Sequence, residues 1–200
     1  MKTIYAVTGN AGKRESIQKA LADLPIKIEM VDPDLHNIME PQHADVEVVA
    51  KSKAMQAWQK IKKPLIVEDS GFHLSAFNQF PGAYAKPVWE TLGLDGFVKL
   101  MSGVEDRRCH FKGALCYVDS KGQSHTFKGE SHGVFATYVA DAHPNQWSDA
   151  WRIFIPEGFD KTLSQMTDDE FLTYRKSREE SQNGHWKKLC THLLSKAEDV

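Results

Sequence analysis

The 200-residue sequence has few cysteines, no excess of positive charge and no long apolar run. Its three cysteines show no CxxC spacing, which argues against a disulfide framework or a structural zinc site and predicts a reducing, cytoplasmic location. Basic and acidic residues number 25 and 27, for a formal net charge of −2. We therefore expect no binding to nucleic acids or membranes through bulk charge. No run of 18 apolar residues is present, and the N-terminus becomes polar too early for a signal peptide.

The sequence also lacks internal repeats, low-complexity stretches and a linker long enough to divide it. Nine histidines are present, but they form no HExxH or HxH cluster, so packing and surface roles are favoured over a metal site. The length and the 41% hydrophobic content fit one globular domain over residues 1–200.

Hydrophobic patterning predicts an α/β protein with a long mixed sheet, helices at both ends of the sequence and an antiparallel section in the second half. A helix is expected up to Pro25 and a second from about Asp45 to Lys63, and the C-terminal part is expected to be helical, with a capping box at 167–170 and an apolar helical face at 186–194. Strands are expected at residues 4–7, 26–31, 64–67, 110–119, 123–130, 133–139 and 151–155.

The first candidate for chemistry is the turn at residues 8–13, TGNAGK, between the first strand and the first helix. Backbone N–H groups at a helix N-terminus favour an anion, and Lys13 adds a full positive charge there. The spacing of a Walker A motif is absent, and a plain strand-to-helix connection is the alternative interpretation.

The second candidate is the run Glu68-Asp69-Ser70-Gly71, where the third strand is expected to end. Ligands of open α/β sheets bind beyond the carboxyl ends of the strands. Mg²⁺ takes one or two carboxylates together with substrate phosphates, so this pair fits a magnesium–phosphate site. A solvated loop before a glycine turn is the alternative.

Two loops in the rest of the chain carry aromatic residues beside polar ones. Residues 80–86 combine a Pro-Gly turn with Tyr84 and Lys86, and a packed surface loop is the alternative there. Residues 145–151 hold Trp147 and Trp151, which could stack on a base, although we expect at least one of them in the core.

Together these motifs resemble the inosine triphosphate pyrophosphatase family, also called the Ham1 family. Residues 7–13 are similar to its TGNxxK motif, residues 67–71 to its carboxylate motif and residues 81–86 to its PGxYxK loop. The resemblance implies cleavage of non-canonical purine nucleoside triphosphates to the monophosphate and pyrophosphate. It also implies an elongated α/β fold with two lobes around a central nucleotide cleft, a homodimer, and dependence on Mg²⁺.

The resemblance assigns roles by position. Asp69 and Lys13 are implied as catalytic residues, and Glu68, Asp69 and Glu40 as metal ligands, although Asp45 and Glu47 compete with Glu40. The implied substrate-binding residues are Thr8, Gly9, Asn10, Lys13, Lys53, Ser70, Tyr84, Lys86, Trp147, Asp149, Lys176 and Ser181.

The second half departs from the family pattern. In a gap-free alignment the aspartate of the FG(Y/W)DP loop falls on Ala150, next to Asp149, and the SHR signature falls on residues 181–183, Ser-Gln-Asn. Gln182 and Asn183 thus stand where the family has the histidine and arginine that read the purine. A binding pocket that loses a hydrogen-bond donor to the base also loses discrimination between bases. We therefore predict altered base specificity.

Two other classes of function remain as alternatives. The first is a non-catalytic nucleotide-binding or regulatory protein, against which the retained Lys13, Glu68 and Asp69 argue. The second is a nucleic-acid or partner-binding module that uses the two tryptophans and the basic cluster at 60–63, which the balanced charge disfavours.

Overall fold

The computed structural model describes residues 2–146, 148–180 and 184–195. Within these ranges it has seven strands, five α-helices and four short 3₁₀ turns. The strands are β1 (Lys2–Val7), β2 (Ile26–Val31), β3 (Leu65–Leu74), β4 (Phe80–Gly82), β5 (Arg108–Val118), β6 (Ser124–Phe135) and β7 (Phe154–Pro156). The helices are α1 (Ala11–Ala20), α2 (Val46–Ile61), α3 (Ala85–Leu100), α4 (Asp168–Glu180) and α5 (His185–Ser195).

The strands form one mixed sheet in the order β2-β1-β3-β5-β6-β7, with β4 paired to β3. β1 runs parallel to both β2 and β3, whereas β4 and β7 pair antiparallel with β3 and β6. The predicted α/β class with a mixed sheet and flanking helices is therefore confirmed. Among the helices described, none has the length and apolar character needed to cross a membrane.

The elements from β1 to β3 follow the predicted order, and the two helices among them have identifiable caps, whereas β4 and α3 were not predicted. Asn10 caps α1 and Asp45 caps α2, each by accepting a hydrogen bond from a backbone N–H of the first turn. α2 ends at Ile61 and is followed by Lys62, which has the left-handed φ of 53° that often closes a helix. α1 ends at Ala20 rather than at Pro25, because the chain turns before the proline.

The predicted end of β3 at the Glu68–Gly71 run is wrong, since the strand continues to Leu74. Beyond Ser70 it pairs with β4, with Phe72 opposite Gly82. A Cβ on Gly71 would lie 2.4 Å from the carbonyl oxygen of Gly82, so this glycine permits close strand approach and does not form a turn.

In the second half the strand boundaries differ from the prediction. The two strands expected at 123–130 and 133–139 are one strand, β6, which ends at Phe135. At this end of the strand the Arg107 side chain donates hydrogen bonds to the carbonyl oxygens of Phe135 and Ala136. The strand expected at 151–155 is shifted to β7, because Trp151 lies in a 3₁₀ turn. Trp151 is only 5% exposed, which confirms a core role for one of the two tryptophans.

The chain forms two compact units, each with its own core. The first unit comprises Met1–Ser70, Gly113–Gly129 and Gly184–Val200, and the second Gly71–Lys112 and Glu130–Asn183. The core of the first contains Ile4, Ala6, Ile17, Leu21, Ile66, Leu115, Tyr117, Trp186, Leu189 and Leu193. The core of the second is rich in aromatic side chains and includes Phe72, Phe97, Phe135, Trp151, Phe154 and Tyr174.

Three histidines lie side by side across β3, β5 and β6 in the second unit. The rings of His73 and His110 stack with centroids 4.7 Å apart, and His110 lies 5.1 Å from His132. Burial lowers the pKa of His73 to about 4, with His110 and Lys112 acting in the same direction. Burial also lowers the pKa of His110, partly opposed by the negative charge of Glu130.

This stack predicts that the second unit is sensitive to acid. The unfolded chain takes up protons near pH 6.5, but folded His73 does so only near pH 4, so stability falls as the pH drops below about 6.5. For His73 the loss at pH 5 is about 2 kcal/mol. We expect His73→Gln to reduce the fall in Tm between pH 7 and pH 5, measured by calorimetry. His143→Gln, outside the stack, is the control, and an unchanged pH dependence in His73→Gln would contradict this account.

Candidate active site

The turn between β1 and α1 is organised by its own side chains. The hydroxyl of Thr8 accepts a hydrogen bond from the Asn10 N–H at 3.1 Å, and the Asn10 side chain accepts one from the Lys13 N–H at 3.0 Å. The Arg14 side chain donates to the carbonyl oxygen of Thr8 at 3.1 Å. Gly9 lies at the exposed tip of the turn. These bonds fix the first turn of α1, which carries Lys13.

Lys13 reaches from α1 to β3, where it meets a buried carboxylate. Its Nζ donates to the main-chain oxygen of Glu68 at 3.0 Å and lies 3.8 Å from Asp69 Oδ1. The Nζ of Lys53, on α2, lies 3.7 Å from the same Asp69 oxygen. Lys53 also contacts Glu40, at 2.5 Å. The structure thus brings together five of the predicted residues within the first unit. We call them the Asp69 cluster: Lys13, Glu40, Lys53, Glu68 and Asp69.

Asp69 is the most unusual group of this cluster. It is only 6% exposed, and this burial raises its pKa above the ordinary value, while Lys13 and Lys53 oppose the shift. Its Oδ2 atom is buried and has no hydrogen-bond partner among the residues that the structure describes. Such an oxygen is expensive to bury without a donor or a cation, so it points to a ligand that the protein binds.

The three carboxylates that competed for a metal role occupy different environments. Asp45 caps α2 through the N–H of Glu47 at 2.9 Å, and Glu47 lies 3.4 Å from Lys128. Glu40 instead shares Lys53 with Asp69, and its negative charge contributes to the raised pKa of Asp69. Of the three carboxylates, Glu40 is therefore the one that belongs to the Asp69 cluster.

Within the described ranges, no three His, Cys, Asp or Glu side chains converge as a preformed metal site. Carboxylate oxygens are nevertheless the ligands that hard divalent cations prefer, and such cations often bind with one or two protein carboxylates and substrate phosphates. The unpartnered oxygen of Asp69 and the nearby Glu40 fit this mode. The cluster is compatible with a divalent cation.

Glu68 points to the other face of β3, as successive strand side chains do. Its Oε1 lies 3.2 Å from Nε2 of His185, at the start of α5. His185 was not among the site residues predicted from the sequence. The available signal was a histidine three positions beyond Gln182, where the gap-free alignment had placed the family's histidine.

Other than Ser70, which directly follows Asp69, the remaining predicted substrate residues that the structure describes make no hydrogen bond or ion pair with the side chains of Lys13, Lys53 or Asp69. Ser70 is exposed on β3. In the second unit Tyr84 precedes α3, Lys86 lies 3.9 Å from Glu90 on that helix, and Asp149 accepts a hydrogen bond from Gln146. Lys176 is exposed on α4, while Trp147 and Ser181 lie outside the described residues.

Comparison with known proteins agrees with the fold and the motifs. The chain is 35% identical over 170 residues to the dITP/XTP pyrophosphatase of Methanopyrus kandleri, covering 85% of this chain and 87% of that protein. It is 34% identical over 164 residues to the protein of the same name from Thermococcus kodakarensis, covering 82% and 85%.

Solved structures show the same fold at lower sequence identity. The Ham1 protein of Staphylococcus aureus superposes with a TM-score of 0.72 at 19% identity, covering 99% of both chains. A HAM1 protein from Coxiella burnetii gives a TM-score of 0.74 at 17% identity, covering 98% of this chain and 100% of that one. Residues 4–177 match the sequence model described as the Ham1 family, and the chain belongs to that family.

Proposed function

We propose that this protein is a Mg²⁺-dependent nucleoside triphosphate pyrophosphohydrolase that converts non-canonical purine triphosphates, such as those of inosine, deoxyinosine and xanthosine, to the monophosphate and pyrophosphate. The observation that carries the proposal is the buried Asp69 carboxylate, held between two lysine ammonium groups with one oxygen unpartnered among the described residues. The dITP/XTP pyrophosphatase name shared by its relatives supports the substrate class.

In this mechanism the Asp69 carboxylate orients the attacking water and accepts its proton. A carboxyl group whose pKa is raised by burial is a stronger base than an exposed one, which suits this role. The ammonium groups of Lys13 and Lys53 stabilise negative charge on the phosphate oxygens as pyrophosphate leaves. The N-terminus of α1 adds backbone dipoles of the same sign.

Asp69 and Glu40 are the residues that would hold the magnesium ion with the triphosphate. When bound, the ion supplies charge neutralisation and orientation of the phosphate groups. Glu68, the third carboxylate that the family resemblance implies as a ligand, has its side chain on the opposite face of β3, against His185.

Further contacts with the substrate are proposed at the positions that the family resemblance implies. They are Tyr84, Lys86, Trp147, Asp149, Lys176 and Ser181. Because Gln182 and Asn183 replace a histidine and an arginine in the gap-free alignment, we predict weak discrimination between bases. We expect the ratio of kcat/KM between the preferred and the standard purine triphosphates to be on the order of 10² or less. A pocket built to hydrogen-bond one particular base reaches a ratio of about 10⁴.

A turnover panel tests the substrate class. Inosine, deoxyinosine and xanthosine triphosphates are compared with the standard nucleoside and deoxynucleoside triphosphates, with Mg²⁺ and with excess chelator. We expect chelator-sensitive turnover of the non-canonical purines, with a preference over adenosine and guanosine triphosphates below about 10²-fold. A preference near 10⁴-fold would show that the base-reading residues were misaligned, and absence of turnover would reject the function.

The homodimer and the cytoplasmic location are part of the same proposal. The dimer rests on the family resemblance, and the location on the sparse, unclustered cysteines. Light scattering of the purified protein at micromolar concentration measures the oligomeric state directly.

A further inference from the structure

Two adjacent carboxylates of β3 have different partners on opposite faces of the strand. Asp69 lies with Lys13 and Lys53, whereas Glu68 Oε1 lies 3.2 Å from His185 Nε2. The Glu68 and His185 side chains are only 11% and 10% exposed, so the contact is largely shielded from water. A histidine that carries a proton on Nε2 donates a hydrogen bond to a carboxylate oxygen at this distance.

The position of the His185 ring depends on a glycine in the neighbouring strand. A Cβ on Gly113 of β5 would lie 2.9 Å from Cε1 and 3.3 Å from Nε2 of the ring. The ring therefore lies directly against the bare backbone of β5. Trp186 and Leu189, which follow His185 on α5, are buried in the core of the first unit and fix the helix that carries the donor.

Glu68 also connects this contact to the proposed active site through its main chain. Its carbonyl oxygen accepts the hydrogen bond from Lys13 Nζ at 3.0 Å, and the next residue along the strand is Asp69. Any rotation of the Glu68 peptide would therefore move the acceptor of Lys13 and the backbone of Asp69 together. A side chain anchored to a core-packed helix resists such a rotation.

We propose that His185 is a positioning residue, which holds the Glu68 carboxylate on the face of β3 opposite Asp69 and thereby keeps Lys13 and Asp69 in place. Glu68 is in consequence an anchor of the strand and not a ligand of the metal ion. The kinetic consequences of this inference rest on the proposed function. Whether Glu68 is a metal ligand can be tested by metal binding alone.

The kinetic test compares two substitutions of His185 that differ in one property. His185→Gln keeps an N–H donor near the position of Nε2, whereas His185→Leu has a similar volume and no donor. We expect His185→Leu to lower kcat for inosine triphosphate by about 10- to 100-fold with KM changed less than about threefold, since small displacements of catalytic groups have effects of this size. His185→Gln should stay within about threefold of the unsubstituted protein.

Equal kcat in the two variants would overturn the positioning role, because a packing role alone does not distinguish a donor from a methyl group. A wild-type protein without turnover would instead reject the proposed function, and the binding test below would still decide the role of Glu68.

The binding test avoids turnover and the risk that His185→Leu does not fold. Mn²⁺ is titrated by calorimetry into the protein saturated with an α,β-methylene analogue of inosine triphosphate, which cannot release pyrophosphate. Glu68→Gln retains an oxygen that accepts from His185, and we expect its Mn²⁺ affinity to stay within about threefold of wild type, whereas Asp69→Asn should weaken Mn²⁺ at least about tenfold. An equal loss in Glu68→Gln and Asp69→Asn would identify Glu68 as a metal ligand and overturn the inference.

Discussion

Replacing Asp69 with asparagine is expected to lower kcat for inosine triphosphate by about two or more powers of ten, the usual span for loss of a general base. Asparagine has nearly the same shape but cannot accept the proton of the attacking water. The two lysines beside it would also lose the negative charge that faces them at 3.7 and 3.8 Å. The measurement is steady-state kinetics at saturating Mg²⁺ and substrate.

Asp23→Asn is the matched control for this substitution. Asp23 is an exposed carboxylate of the same unit, in the turn after α1, and its replacement should leave kcat within about twofold of wild type, as is usual for surface substitutions. Near-wild-type turnover in Asp69→Asn would remove Asp69 from its catalytic role.

Replacing Lys13 with methionine is expected to lower kcat/KM by about 10²- to 10³-fold, the range found when one charge-stabilising donor is removed from an active site. Methionine preserves most of the length of the side chain and deletes the ammonium group. The hydrogen bond to the Glu68 main chain and the positive charge beside Asp69 are both lost.

Lys19→Met provides the control on the same helix. Lys19 is exposed near the end of α1 and pairs with Glu15, one turn earlier, so its loss should affect stability by a few tenths of a kcal/mol and leave kcat/KM unchanged. Equal effects of the two substitutions would mean that Lys13 contributes only to the general charge of the helix.

The elements of the first unit that surround the proposed phosphate-binding residues could be predicted from sequence, because each has a local signal. The apolar strand at 26–31 and the capped helix after Asp45 are visible as short patterns, and the structure confirms both. Lys13, Glu68 and Asp69 were also predicted, because two of the motifs that carry the family resemblance contain them, and Lys53 was assigned by position in the same comparison. Glu40 was predicted only as one of three competing carboxylates.

Features that depend on contacts between distant segments were not predicted. Gly71 looks like a turn in the sequence, but it allows β4 to approach β3. α3 was missed because it contains Gly93, whose φ of 63° kinks it and interrupts any helical periodicity. His185 was missed because its contact with Glu68 joins residues 117 positions apart, and no local pattern marks that pairing.

The measurement that tests the central claim most directly is the identity of the products. The protein is incubated with inosine triphosphate and Mg²⁺, and the products are followed by phosphorus NMR together with Asp69→Asn as the inactive reference. Inosine monophosphate and pyrophosphate are expected in equal amounts, with no inosine diphosphate at any time. Release of orthophosphate with inosine diphosphate, or tight nucleotide binding without any product, would contradict the proposed function.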